Sequence, residues 1–200
     1  METRTTQTVS TKLKSGPLKP RRWCLSQLAL AALLAVTSLP RIACAQVSEY
    51  ELKAAFLSNF TQFVKWPAKA LGDAGAPFSI GVLGDDPFGG ALEKIVQGQA
   101  VSGRRIAIRR GRRADDVRSC QIVFISKSER GRIAEHIAGL QGAAMLTVGE
   151  TEQFTRQGGA IGFTMEGDKV RFEINSGAAQ RAGLELSSRL LKLARTAGFQ

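Results

Sequence analysis

The chain has 200 residues, 44% hydrophobic and 22% charged, with 21 Gly and 6 Pro, which excludes a disordered, collagen-like or coiled-coil protein. Its net charge of +11 is concentrated: residues 1–45 hold seven bases and one acid, and residues 101–119 hold seven arginines against Asp115 and Asp116. Elsewhere in 46–200 there are 14 bases and 14 acids, which sets aside a generally basic nucleic-acid binder.

Residues 1–45 read as an export signal. A basic segment ends at Arg21-Arg22, an apolar run spans Leu28 to Val36, Pro40 breaks the helix, and Ala43-Cys44-Ala45 suits cleavage after Ala45. The alternatives are an uncleaved membrane anchor and a lipoprotein attached at Cys44. Ser26, Gln27, Thr37 and Ser38 interrupt the apolar run against the first, and Arg41 argues against the second. The expected organisation is therefore a signal peptide, 1–45, and one domain, 46–200, working outside the bacterial cytoplasm. That location sets aside DNA, ATP and NAD as partners. Cys24 and Cys44 leave with the signal, so Cys120 stays alone and forms no intrachain disulfide.

Ser48 and Glu51 make a capping box. The helix that follows carries a stripe of Leu52, Phe56, Asn59, Phe60, Phe63 and Val64, and Trp66-Pro67 stops it. Gly72 to Pro77 is a loop. Phe78–Leu83 reads as a buried strand feeding the turn Gly84-Asp85-Asp86-Pro87, with a helix from Phe88 to Gln97. Arg104–Arg110 reads as an edge strand, since charges along a strand discourage edge pairing. Cys120–Ser126, apolar on both faces, reads as a central strand. A helix carrying Ile133, Ile137 and Leu140 follows, then a strand at Met145–Val148 and a short helix over Thr151–Gln157. Ala160–Thr164 and Lys169–Ile174 flank a Gly-containing loop and predict a β-hairpin. Asn175-Ser176 caps a last helix running to Ala197, with Ala179, Ala182, Leu186, Leu190, Leu193 and Ala197 on its buried side. Leu184 and Leu191, on another side, extend the core or meet a second protomer, and Gly198 ends the helix. This alternation predicts an α/β fold: a single three-layer domain whose largely parallel sheet carries an antiparallel hairpin edge.

No catalytic, cofactor-binding or metal-ligating set emerges. His136, the only histidine, has no partner at ligand spacing, and no P-loop, G-x-S-x-G or H-E-x-x-H is present. Asp85-Asp86 is either turn chemistry or a paired-acid site. Ligands of parallel sheets sit beyond the strand C-termini, which makes Asp85, Asp86, Ser126, Lys127 and Glu150 a candidate ligand or partner rim. Arg104, Arg105, Arg109, Arg110, Arg112 and Arg113 form a candidate electrostatic patch for an acidic or anionic partner, or else a solvated edge. Nucleic acid is not expected there, because no aromatic residue interleaves the arginines.

Seven sequence blocks stand in order along the chain. They open with Glu51-x-x-Ala54-Ala55-Phe56-x-x-Asn59-Phe60-x-x-Phe63-Val64-x-Trp66-Pro67 and continue with Ile80-Gly81-Val82-Leu83-Gly84-Asp85-Asp86-Pro87-Phe88-Gly89. Cys120-x-Ile122-Val123-Phe124-Ile125-Ser126, Leu146-Thr147-Val148-Gly149, Gly158-Gly159-x-Ile161-x-Phe163 and Arg171-Phe172-x-Ile174-Asn175 follow. Ala182-Gly183-Leu184-x-Leu186-Ser187-Ser188-x-Leu190-Leu191-x-Leu193-Ala194 closes the series. In this order the blocks resemble the YfiR-type periplasmic regulator family, and the resemblance implies a non-enzymatic periplasmic protein without cofactors that tends to self-associate, a homodimer being one such form. It implies a partner too: an inner-membrane diguanylate cyclase with a periplasmic sensor domain, which the regulator binds and represses, lowering cyclic di-GMP and biofilm formation. The best-known type carries disulfides, so unpaired Cys120 departs from it. The alternative function is an envelope module that binds a small molecule at the strand-end rim.

Overall fold

The computed structural model describes residues 48–196, all within the unit Gln46–Gln200. The expected signal sequence and the expected helix stop at Gly198 lie outside the described residues.

Helix α1 (Glu49–Phe63) begins at the predicted cap. Ser48 Oγ accepts the Glu51 amide N–H at 3.1 Å, and the Glu51 carboxylate accepts the Ser48 N–H at 2.8 Å. Two backbone donors that a helix start would leave open are thereby satisfied. The buried face is rotated from the predicted stripe. Ala54, Leu57 and Phe60 are buried and Phe56 and Phe63 pack beside them, but Leu52 and Asn59 face outward. The rotation follows from Lys53, Ser58 and Thr61, polar residues on the buried face that each find a partner.

The chain continues through β1 (Val64–Lys65), β2 (Phe78–Leu83), α2 (Ala91–Val96), β3 (Ala100–Val101), β4 (Arg104–Gly111) and α3 (Ala114–Val117). Next come β5 (Ile122–Ile125), α4 (Ile133–Gly139), β6 (Leu146–Gly149), β7 (Ile161–Glu166) and β8 (Lys169–Ile174). The last elements are α5 (Ser176–Arg181), β9 (Glu185–Leu186), α6 (Ser188–Leu193) and β10 (Arg195–Thr196). The main sheet has the order β10-β8-β7-β6-β5-β2-β4-β3. Strands β4, β2, β5, β6 and β7 run parallel. Strands β7 and β8 form the antiparallel hairpin toward one edge, with Phe163 opposite Phe172, and β10 lies outside it.

Helices cover both faces. On one face α1, α2 and α6 bury Leu57, Phe60, Leu92, Val96 and Leu190 against Ile80, Val82, Ile122, Phe124 and Val148. Phe56 and Phe60 each meet Phe172 edge-on, at centroid distances of 5.4 Å, which ties α1 to the hairpin. On the other face α3 and α4 place Val117 and Ile133 against Leu83, Val123 and Ile125. The fold is thus a single three-layer α/β domain with a largely parallel sheet.

Three regions depart most from the sequence reading. Helix α2 starts at Ala91, because Phe88 turns inward to meet Phe124 edge-on, centroids 4.7 Å apart. Residues 151–157 form turns, not a helix. Gln153 adopts φ 60°, which ends helical propagation, and Phe154 is drawn into the second core. The predicted final helix breaks in two. Gly183, at φ 74°, reverses the chain after α5, and β9 then pairs antiparallel with β1, Leu186 opposite Val64. Ser187 caps α6 by accepting the Leu190 N–H. The break puts Leu184 in the core and leaves Leu193 64% exposed, reversing its predicted burial.

Candidate functional site

Neighbouring strands β2 and β5 send their connections to opposite faces of the sheet. The chain after β2 leads to α2 on the first core, and the chain after β5 leads to α4 on the second. Such divergence opens a crevice at the strand C-termini. A cleft of about 450 Å³ lies there. Asp85, Asp86 and Pro87 line it from β2, Ser126, Lys127, Ser128 and Arg130 from β5, and Tyr50 from α1.

Glycine allows the two loops to close on each other. Gly84 sits at φ 95°, and a Cβ there would lie 2.5 Å from Ser128 Oγ and 2.7 Å from Glu129 Cγ. The Asp85 N–H donates to Ser128 Oγ at 3.0 Å, stitching the loops together. Asp86 works as a turn residue and anchor. Its Oδ1 accepts the Phe88 N–H at 2.8 Å and its Oδ2 accepts Arg110 Nε at 2.6 Å. Arg110 also pairs with Glu93 at 2.7 Å, and that hydrogen bond holds the Glu93 carboxyl below its ordinary value. Asp85 meets Arg112 at 3.0 Å.

Of the predicted rim residues, Asp85, Asp86, Ser126 and Lys127 share the cleft. Glu150 does not line it. Its side chain is 2% exposed and receives Lys53 Nζ, itself 4% exposed, at 2.6 Å. The Lys127 N–H donates to the other Glu150 oxygen at 3.3 Å, and Lys53 also reaches Glu49. Burial alone would lower the Lys53 pKa, but the hydrogen bonds and charges of Glu150 and Glu49 outweigh it and raise it.

A second polar cluster lies behind the β5 loop. Glu129 Oε2 accepts Arg132 at 2.6 Å and His136 Nε2 at 2.8 Å, and both Glu129 and His136 are buried. An ionised carboxylate only accepts, so the His136 proton is on Nε2. The His136 hydrogen bond, opposed by burial and helped by Arg132, holds the Glu129 carboxyl below its ordinary value. A depressed carboxyl stabilises the fold above its unfolded pKa of about 4.3, and that stability is lost as pH falls through the folded value. Urea unfolding between neutral and acid pH should therefore show a shallower acid loss in Glu129→Gln than in the wild type.

The arginines of the predicted patch take different partners. Arg104 donates to the carbonyls of Asp73 and Ala76, Arg110 and Arg112 hold Asp86 and Asp85, and Arg113 meets Asp115 at 3.8 Å. Arg105 and Arg109 are exposed and make no ion pair among the described residues. Strand β4 is an edge beyond Arg105, because β3 covers only Arg104 and Arg105. Cys120 is 3% exposed within the second core. Burial pushes its thiol up to about 11, against a small opposing effect of Arg109. Iodoacetamide at neutral pH should spare Cys120 in the folded protein and label it after unfolding, as read by peptide mass mapping.

Lys53, Glu129, Tyr50 and Arg130 were not singled out from sequence. Lys53 lies outside the predicted apolar stripe and reads as a solvated residue. Only the fold brings it to Glu150, 97 positions away.

One family model, described as YfiR/HmsC-like, matches residues 50–195. No curated protein matches the chain. Among solved structures, a conserved domain protein from Vibrio cholerae O1 biovar El Tor is 14% identical, with a TM-score of 0.49 over 74% of this chain and 60% of that one. The ABC domain in complex with L-Trp from Streptococcus pneumoniae is 11% identical, with a TM-score of 0.48 over 74% of this chain and 61% of that one. The chain thus spans about three fifths of those structures.

Proposed function

Because the chain belongs to the YfiR/HmsC-like family of regulators in diguanylate cyclase signalling, we propose that it binds and represses the periplasmic sensor domain of an inner-membrane diguanylate cyclase. Synthesis of cyclic di-GMP falls as a result, and biofilm formation with it. The family match across 146 residues, 50–195, is the observation that carries this reading. The export signal read at 1–45 supports a periplasmic location. The regulator acts by contact, without a catalytic step of its own. It binds one conformation of the sensor better than the other, and this difference in affinity holds the cyclase inactive.

Exposed apolar side chains are available for docking. Among the described residues, Leu52, Met165, Leu191 and Leu193 are the exposed large hydrophobics. They lie on α1, β7 and α6, elements that pack on the first core. Exposed apolar side chains supply contact area for a protein partner. Self-association as a homodimer belongs to the same reading, and light scattering of the full chain reports it. The direct test of partner binding uses the immobilised full chain and detergent-solubilised membranes of its own bacterium. The reading expects a membrane diguanylate cyclase, identified by mass spectrometry, to be captured. Absence of any such cyclase, with the cyclases shown present in the input, contradicts it.

A further inference from the structure

The strand-end cleft carries two independent signs of ligand binding. The first is its place: the crevice between β2 and β5, whose connections leave on opposite faces, is where open α/β sheets receive ligands. The second is its chemistry. The carboxylates at its mouth are already engaged, Asp86 by the Phe88 N–H and Arg110, and Asp85 by Arg112. Among the charged groups that line it, those without an ion-pair partner among the described residues are cations. Lys127 and Arg130 are exposed and form no ion pair among the described residues. The hydroxyls of Ser126 and Ser128 accept backbone N–H groups, and their own protons have no acceptor among the described residues. Tyr50, held edge-on to Phe88 at 5.8 Å, and Pro87 supply an apolar wall.

We propose that this cleft binds a small organic anion. Its carboxylate is seated on Lys127 and Arg130, within reach of the serine hydroxyls, and its apolar body lies against Tyr50 and Pro87. The volume of about 450 Å³ suits a small molecule rather than a polymer segment. A ligand held by Lys127 sits one residue's hydrogen bond from Glu150, and so from the Lys53 pair that anchors α1.

Titration calorimetry of the full chain tests this with benzoate, its neutral counterpart benzamide, and inorganic phosphate. Benzoate is expected to bind, benzamide and phosphate to bind at least about tenfold more weakly, and Lys127→Ala with Arg130→Ala to weaken benzoate by about tenfold or more. Arg105→Ala, outside the cleft, is expected to leave benzoate binding unchanged. Each variant is compared at matched folded fraction, read by thermal melting. The proposal is overturned by benzamide or phosphate matching benzoate, by the double variant binding normally, or by no benzoate binding at millimolar concentration. The experiment contains no cyclase, so its failure would leave the regulatory reading standing.

Discussion

Lys53→Met is expected to destabilise the domain by about 3–5 kcal/mol, more than a typical single substitution. The loss of Lys53 leaves the Glu150 carboxylate buried, with the Lys127 N–H at 3.3 Å as its remaining hydrogen-bond donor among the described residues. An uncompensated buried charge is the costly state, while the pair itself is close to neutral against an apolar replacement. The double change Lys53→Met with Glu150→Gln should therefore recover most of the loss. Urea unfolding at pH 7 of both single variants and the double variant closes the cycle. The pH dependence supplies a second readout. The Lys53 pKa is raised in the fold, so its stabilisation is complete below the unfolded value of about 10.4 and is lost as pH rises through the folded value. The wild type should lose stability in that alkaline window, and the double variant should lose less.

The second large effect is at Phe154, a buried ring in the second core. Phe154→Ala is expected to cost about 3–5 kcal/mol. The ring is seated between glycines: a Cβ on Gly149 would lie 2.3 Å from Phe154 Cδ2, and one on Gly159 would lie 2.0 Å from Cε1. Neither glycine tolerates a side chain while the ring is present, so Gly159→Ala should destabilise by about 1–3 kcal/mol or more. Combined with Phe154→Ala, the same glycine change should cost little, because the clashing ring is gone. Strong non-additivity in thermal unfolding supports the seat, and simple additivity contradicts it.

Much of the architecture was legible in local chemistry. The Ser48–Glu51 cap, the apolar strand Ile122–Ile125 at the sheet centre and the Ile161–Ile174 hairpin each announce themselves within a few residues. What misled were positions where tertiary contacts override local preference. Thr151–Gln157 has helical composition, but burial of Phe154 outweighs it. Residues 176–197 hold a continuous apolar periodicity, yet Gly183 and the β1–β9 pairing divide it. The same limit applies to the candidate site. Strand ends can be read from sequence, so Asp85, Asp86, Ser126 and Lys127 could be grouped before the fold was known. That Glu150 turns inward depends on Lys53, distant in the chain and unremarkable in pattern.

The central claim is repression of a diguanylate cyclase, and the most direct measurement is the cellular level of cyclic di-GMP. It would be quantified by mass spectrometry in the bacterium of origin, in a strain lacking the gene, and in that strain with the gene restored. A membrane diguanylate cyclase with a periplasmic sensor domain must be expressed throughout. The account predicts a rise on deletion and a return to the starting level on restoration. An unchanged level across the three strains would contradict it.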